Sequence, residues 1–266
     1  MAQLTMGAGF GALLLAPALA LAQTPTMTCD DRDWDDEGER VCEIRDFTVP
    51  TGRSPIAIDG GQNGGVRVHG WDRNEIRVFA RVQANARSEE RAREIAAGVT
   101  IATSGTIEAR GPDTQRREWW SVTFEAFVPS RSDLDLETLN GGVRIDNVHG
   151  TIRFEVTNGG VSLTGLGGDV QGTTTNGGIR LALDGASWDG AGADVRATNG
   201  GIVLTVPEGY SARLETGTTN GGLQFEFPVM VQGRLNRRVE LDLGSGGAPI
   251  RAVTVNGGVV VKRPGI

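Results

Sequence analysis

Histidine, a common side chain at metal sites and in proton transfer, occurs only twice in this chain, as His69 and His149. Each stands in a Val-His-Gly triplet. The pair shows none of the spacings that mark zinc ligands. We therefore expect two turn positions of similar local structure, and we predict no metal site.

Carboxylates are concentrated just before residue 40. An EF-hand loop opening at Asp31 would need glycine where Asp36 stands, so calcium binding is not favoured and a solvated acidic segment is expected. The acidic residues of this segment are Asp30, Asp31, Asp33, Asp35, Asp36, Glu37 and Glu39.

Motifs for nucleophilic or nucleotide chemistry are missing. The sequence has no Gly-x-Ser-x-Gly elbow, no Walker loop and no GxGxxG, so we predict no catalytic residue and no cofactor. A carboxylate pair for glycoside cleavage stays open, because carboxylates are plentiful and no pattern selects two of them.

Aromatic side chains offer a second kind of chemistry, the stacking of a sugar ring. Strand alternation places Trp120 in the core and Trp119 on the outside. We also expect Trp188 to face outward, although single exposed aromatic residues are common without any function.

The two cysteines, Cys29 and Cys42, are close in sequence. In an exported chain such a pair most simply forms a disulfide, worth about 3 kcal/mol for a ring of this size in the chain-entropy treatment.

One tripeptide, Asn-Gly-Gly, accounts for most of the architecture. Each copy is followed by an apolar residue and by a second one two positions later, the pattern of a turn that leads into a strand. The Gly residues tolerate positive φ, and the Asn amides of stacked copies could hydrogen-bond as a ladder. We predict structural turns at Asn63, Asn140, Asn158, Asn176, Asn199, Asn220 and Asn256.

Steps of 18 residues between copies fit two strands and two turns, and such units bury an apolar face only when several stack. The sequence predicts an all-β β-solenoid with one short helix at residues 88–97, capped by Ser88. A two-sheet β-sandwich is the alternative. The expected divisions are a signal peptide at 1–22, an acidic extension with the disulfide at 23–55, a β part with the helix at 56–132, and the repeat region at 133–266.

Export is indicated by the N-terminal residues. An apolar run from Phe10 ends in Ala20-Leu21-Ala22, a small-x-small cleavage site, and no later segment could cross a membrane. A net charge of -7 argues against a nucleic-acid partner. We expect the periplasm or the cell surface.

The order of these pieces resembles a bacterial family of exported, adhesin-like proteins of unknown function with β-strand repeats. The resemblance runs from Ile56 to Lys262 and is carried by Asn63–Asp72, Glu75–Val82, Val122–Pro129 and Leu134–Val143. It implies a β-helix-like repeat in the cell envelope and supplies no binding or catalytic residues.

The leading functional expectation is a non-enzymatic adhesin-like module that binds an envelope or surface glycan or protein. A carbohydrate-active enzyme resembling polysaccharide lyases is the second possibility, and it requires acidic residues and arginines on one outer face of adjacent repeats. A purely structural envelope component is the third. The oligomeric state and the ligand are left open.

Overall fold

The computed structural model describes residues 25–29, 38–52, 55–229 and 237–265. The predicted signal peptide at 1–22 and residues 30–37 of the acidic segment lie outside these ranges. Both stay predictions.

Alternating apolar and polar residues make most of the described chain β-strand, with one helix. The elements are β1 (Glu39–Val49), β2 (Ile56–Asp59), β3 (Val66–Trp71), β4 (Ile76–Ala86), α1 (Glu89–Gly98), β5 (Thr100–Ala102), β6 (Glu108–Arg110), β7 (Trp119–Pro129), β8 (Leu134–Asn140), β9 (Val143–Asp146), β10 (His149–Asn158), β11 (Val161–Thr164), β12 (Gly167–Asn176), β13 (Ile179–Ala182), β14 (Gly192–Asn199), β15 (Ile202–Thr205), β16 (Ala212–Asn220), β17 (Leu223–Phe225), β18 (Arg238–Leu243), β19 (Pro249–Asn256) and β20 (Val259–Lys262).

The strands form two large sheets and a hairpin. The ten-stranded sheet has the order β1-β4-β7-β3-β9-β11-β13-β15-β20-β17, and the eight-stranded sheet the order β18-β16-β19-β14-β12-β10-β8-β2. Strands β5 and β6 pair with each other. The predicted all-β class with one helix is confirmed.

The chain changes sheet at every Asn-Gly-Gly corner from residue 140 onward. Each Asn there ends a strand of the eight-stranded sheet, and the next strand belongs to the ten-stranded sheet. We call such a pair of strands a coil. Neighbouring coils pair in parallel, with Ile152 opposite Val170 and Val161 opposite Ile179. Alternate apolar side chains of both sheets meet in one core.

The last coil in the sequence is not the last in space. Strands β19 and β20 lie between the β14–β15 coil and the β16–β17 coil. Strand β18 pairs antiparallel with β16 on its outer side. Strand β19 then pairs in parallel with both β14 and β16.

The first glycine of each corner is required by a close approach of backbone. A Cβ at Gly159 would lie 2.0 Å from the carbonyl oxygen of Gly141, and one at Gly177 would lie 1.9 Å from that of Gly159. The expectation that positive φ explains these glycines is wrong for most copies. Among the corner glycines of the described residues, Gly257 alone has a positive φ. Contact between coils selects glycine here.

The corner asparagines form the amide ladder expected from the sequence. Nδ2 of Asn158 donates to Oδ1 of Asn140 at 2.8 Å, and Nδ2 of Asn176 donates to Oδ1 of Asn158 at 2.8 Å. The ladder continues through Asn199, Asn256 and Asn220, in the spatial order of the coils. At the other end Asn140 donates to Oδ1 of Asn63 at 3.4 Å.

The N-terminal part of the ten-stranded sheet is antiparallel, with β4 between β1 and β7. Helix α1 packs there through Ala92, Ile95 and Ala96, and the Ser88 hydroxyl accepts from the N–H of Arg91 at 3.3 Å. The Arg45 guanidinium of β1 donates to the carbonyl of Ala96 at 2.8 Å, and the same carbonyl accepts from the N–H of Val99 at 3.1 Å, so the end of the helix is tied to β1.

Strand β1 belongs to the segment that the sequence assigned to an acidic extension at 23–55. The alternation of buried and exposed side chains along β1 is weak, because β1 is the edge strand of its sheet and most of its residues are only partly buried. The boundaries 23–55, 56–132 and 133–266 stay predictions.

Gly159→Ala is expected to cost more than about 2 kcal/mol of folding free energy, since the new methyl group overpacks a rigid backbone contact. The matched control is Gly160→Ala, where a Cβ would lie 3.7 Å from its nearest neighbour, the Gly178 carbonyl. Urea unfolding followed by circular dichroism measures both. Equal losses for the two variants would contradict the close-contact explanation.

Candidate functional site

Of the two tryptophans expected to face outward, only Trp119 does so. Trp119 is half-buried at the start of β7, whereas Trp188 is 7% exposed and its Nε1 donates to the carbonyl of Gly168 at 2.9 Å. The prediction for Trp188 was wrong because it follows β13 in a loop, where strand alternation gives no guide. Trp120 packs against the core as predicted, and its Nε1 donates to the carbonyl of Pro112.

Trp119 borders a cleft of about 570 Å³ at the first Asn-Gly-Gly corner. The Arg40 guanidinium lies over the indole, 5.4 Å from the ring centroid, in cation–π geometry. Arg81 lines the same cleft and donates to the carbonyl of Thr28 at 3.1 Å. The remaining polar side chains are amides and hydroxyls, from Asn63, Gln83, Ser121, Thr123 and Asn140.

The cleft is positioned by the junction between the antiparallel strands and the coils. Strand β7 pairs antiparallel with β4 on one side and parallel with β3 on the other. Gly64 permits this, because a Cβ there would lie 1.9 Å from the carbonyl oxygen of Val122. The start of β7 extends past the corner and leaves Trp119 beside Asn63 and Asn140.

A second cleft, of about 430 Å³, is also lined by the Trp119 side chain. It is lined by Gly60, Gly61 and Gln62 on one side and by Pro112 and Asp113 on the other. Trp119 therefore lines two adjoining depressions at one end of the coil corners.

The two histidines occupy strands, so the expectation of a repeated turn position was wrong. His69 lies in β3 with its Nε2 3.2 Å from Oε1 of Glu125 and its Nδ1 3.4 Å from Oδ2 of Asp146. His149 opens β10, and its Nδ1 is 3.5 Å from Oδ2 of Asp189.

Glu125 is a buried carboxylate that the sequence did not reveal. Its side chain is fully buried in β7. Burial by itself would raise its pKa, but hydrogen bonds from His69, from the hydroxyl and N–H of Thr26 and from the N–H of Met27 hold that pKa below its ordinary value. An ionised Glu125 therefore fixes residues 26 and 27 against the sheet.

Two further contacts hold this N-terminal segment in place. Met27 packs with Trp71, Phe79 and Phe127 in a small apolar cluster on the outer side of the ten-stranded sheet. The predicted disulfide is present between Cys29 and Cys42 of β1, with a Cα–Cα distance of 5.7 Å.

The outward side of the eight-stranded sheet is covered by ion pairs. Asp194 contacts Arg196 and Arg251, and Arg251 also contacts Glu215 at 3.0 Å. Asp194 and Arg196 also line a shallow depression of about 330 Å³, together with Asp135, Glu137, Arg153, Glu155 and Gln171, among others.

Within the described ranges, no group of three or more His, Cys, Asp or Glu side chains is arranged to hold a metal ion. Residues 30–37, the stretch where calcium binding was considered, lie outside those ranges. In the same part of the chain, none of the helices combines the length and apolar character needed to cross a bilayer.

Residues 84–262 match the sequence model of the Toastrack DUF4097 family, a match that covers more than half of the chain's 266 residues. The chain belongs to this family. The resemblance found in the sequence, to a bacterial family of unknown function, is thereby confirmed. Among curated proteins, none matches the chain.

Three solved structures match the chain, each with a TM-score below 0.5. A "putative cell adhesion protein" from Clostridium sporogenes ATCC 15579 has a TM-score of 0.43 at 10% identity, over 85% of this chain and 100% of its own. A "putative adhesin" from Bacteroides fragilis NCTC 9343 has a TM-score of 0.42 at 11% identity, over 84% of this chain and 97% of its own. A "putative lipid binding protein" from Parabacteroides distasonis ATCC 8503 has a TM-score of 0.35 at 9% identity, over 85% of this chain and 98% of its own.

Glu125→Gln is expected to lose about 1–3 kcal/mol of stability, because the buried amide cannot replace an anion that accepts from several donors. Since the pKa of Glu125 is lowered on folding, its stabilisation is present above the unfolded value of about 4.3 and is lost as the pH falls through the folded pKa. Hydrogen exchange of residues 26 and 27 should rise over that acidic range.

The exposed Glu155→Gln serves as the control and should keep the wild-type pH dependence. In Glu125→Gln the exchange of residues 26 and 27 should be high at every pH. Wild-type protection that persists well below the folded pKa would contradict the role of Glu125.

Proposed function

We propose that this chain is a non-enzymatic, exported binding module of the bacterial cell envelope, adhesin-like in that it presents a rigid β surface to a glycan or protein. The periplasm and the cell surface are the compartments we propose. The observation that carries the proposal is the cleft at Trp119, where an accessible indole stands among amide, hydroxyl and guanidinium groups.

The chemistry of this cleft suits a carbohydrate. An indole stacks on the apolar face of a sugar ring, while amides and hydroxyls exchange hydrogen bonds with sugar hydroxyl groups. Among the described residues, no hydrogen bond engages the side chains of Gln83, Ser121 or Thr123, so these groups are available to a ligand.

We further infer that the two large sheets are the walls of a β-solenoid. In support, the chain changes sheet at each corner, neighbouring coils pair in parallel, and the corner asparagines share one register from coil to coil. A sandwich of antiparallel strands would give neither the parallel pairing nor the amide ladder.

The second candidate, a carbohydrate-active enzyme, is favoured by one observation. Acidic residues and arginines do line the shallow depression on the outer side of adjacent coils. We favour the binding module, because the depression is open and one of the carboxylates that line it, Asp194, is engaged by Arg196 and Arg251. Release of new reducing ends from a polysaccharide panel, abolished in Glu155→Gln, would reverse this preference.

The binding proposal predicts that the secreted chain, produced from residue 23, binds members of an immobilised polysaccharide array. Trp119→Ala should weaken that binding at least about tenfold, the loss of roughly 1.4 kcal/mol, whereas Trp119→Phe should keep part of it. Val255→Ala, a truncation of an exposed apolar residue outside the cleft, is the control. Binding that Trp119→Ala leaves unchanged would refute the assignment of this cleft.

A further inference from the structure

We propose that the outward side of the ten-stranded sheet carries a second binding site, a row of arginines that holds a linear anionic glycan along the stack of coils. The arginine row consists of Arg67 in β3, Arg144 in β9 and Arg180 in β13, with the Ser162 hydroxyl of β11 between the last two. This inference rests on the proposed binding function and adds a site and a ligand class to it. It does not depend on the cleft at Trp119.

Strand register places the members of the row in one line. Arg67 is directly opposite Arg144, Arg144 is opposite Ser162, and Ser162 is opposite Arg180. All four side chains point away from the core, because each lies between two buried residues of its own strand. Neighbouring strands lie about 4.8 Å apart, so the guanidinium groups recur at one and then at two strand spacings.

The charge of the row is not used within the protein. Arg144 and Arg180 are exposed and Arg67 is half-buried. Among the residues that the structure describes, no hydrogen bond or ion pair engages any of the three guanidinium groups. Like charges directly opposite each other on adjacent strands destabilise a sheet. The pair of Arg67 and Arg144 therefore breaks a local rule of stability, as side chains kept for a ligand do.

Two carboxylates border the row, and both have other partners. Glu125 of β7 is opposite Arg67 in register, but it is fully buried and accepts hydrogen bonds from Thr26 and from the N–H of Met27. Asp146 of β9 lies in the next row of outward side chains, where its Oδ2 is 3.4 Å from Nδ1 of His69. The row itself contains no carboxylate.

The flanks of the row are low, which leaves the guanidinium groups accessible along its length. On the far flank the corresponding residues of β11 and β13 are the small Thr164 and Ala182. Beyond Arg180 the row continues in Val203 and Val260, which carry no charge. On the near flank, two residues before each member, runs a strip without side chains, formed by Gly65, Gly142, Gly160 and Gly178.

This shape suits an extended chain that lies across the strands. Guanidinium groups bind carboxylates and phosphates through paired N–H donors. The strand spacing is comparable with the length of one pyranose unit, so successive acidic sugars can meet successive strands, while the Ser162 hydroxyl can bond a sugar hydroxyl group. The ligand class is thus a linear glycan with carboxylate or phosphate groups at regular intervals.

The test measures binding of the chain from residue 23 to immobilised polygalacturonate and to the same polymer after reduction of its carboxyl groups. We expect binding to the acidic polymer to be at least about tenfold tighter, with an affinity that falls as the salt concentration rises. Soluble polyphosphate and soluble polygalacturonate serve as competitors. The one that displaces the chain at the lower concentration identifies phosphate or carboxylate as the preferred anion.

Arg144→Gln should weaken binding to polygalacturonate at least about fivefold. Its affinity should also depend less steeply on salt, because fewer counterions are released from the polymer. Thermal unfolding should be unchanged or slightly higher, since the repulsion from Arg67 is removed. The matched control is Arg153→Gln, which should bind within about twofold of wild type. Arg153 is likewise exposed and without an ion pair among the described residues, but it lies in β10 of the eight-stranded sheet.

Equal losses in Arg144→Gln and Arg153→Gln would reveal general charge attraction and overturn the arginine row as a site. Equal binding of the acidic and the reduced polymer, lost in Trp119→Ala but not in Arg144→Gln, would overturn this inference and leave the proposed glycan function standing. Binding to neither these polymers nor any other polysaccharide would overturn both. Salt-sensitive self-association, seen in sedimentation and lost in Arg144→Gln, would assign the row to a second copy of the chain and overturn the glycan ligand.

Discussion

The contact between successive Asn-Gly-Gly corners is the constraint on which the rest of this fold depends. At Gly159 a Cβ would stand 2.0 Å from the Gly141 carbonyl oxygen, and Gly200 repeats this geometry with the Gly177 carbonyl at 1.9 Å. Backbones so close fix the register between coils, because a shift by one residue would bring a side chain into the contact. The register in turn aligns the Asn amides and sends the apolar residues of both sheets inward.

The same constraint places the candidate site at the end of the ladder. Coils continue the stack as far as β3, and there β7 and β4 change the pairing from parallel to antiparallel. The change ends the row of amides at Asn63 and leaves the start of β7, with Trp119, beside an open cleft. The N-terminal segment is fixed on this antiparallel part through Glu125 and the Cys29–Cys42 disulfide.

Features with a local cause could be predicted from the sequence. Ser88 signals the start of α1 through its own hydrogen bond, and the spacing of Cys29 and Cys42 signals their pairing. The insertion of β19 between β14 and β16 could not be predicted, since it depends on pairing between segments far apart in the chain. Glu125 was missed for the same reason, because its partners Thr26 and His69 are distant in sequence.

The central claim, that coils are interchangeable units held in register at their corners, is tested most directly by removing one coil. Deletion of residues 141–158 joins Asn140 to Gly159 and takes out 18 residues, the offset between β10 and β12. The account predicts a folded protein with a cooperative, somewhat lower thermal transition, while deletion of 141–149 alone should abolish cooperative unfolding. If the 18-residue deletion unfolds the chain as fully as the 9-residue one, the register at the corners does not organise this fold.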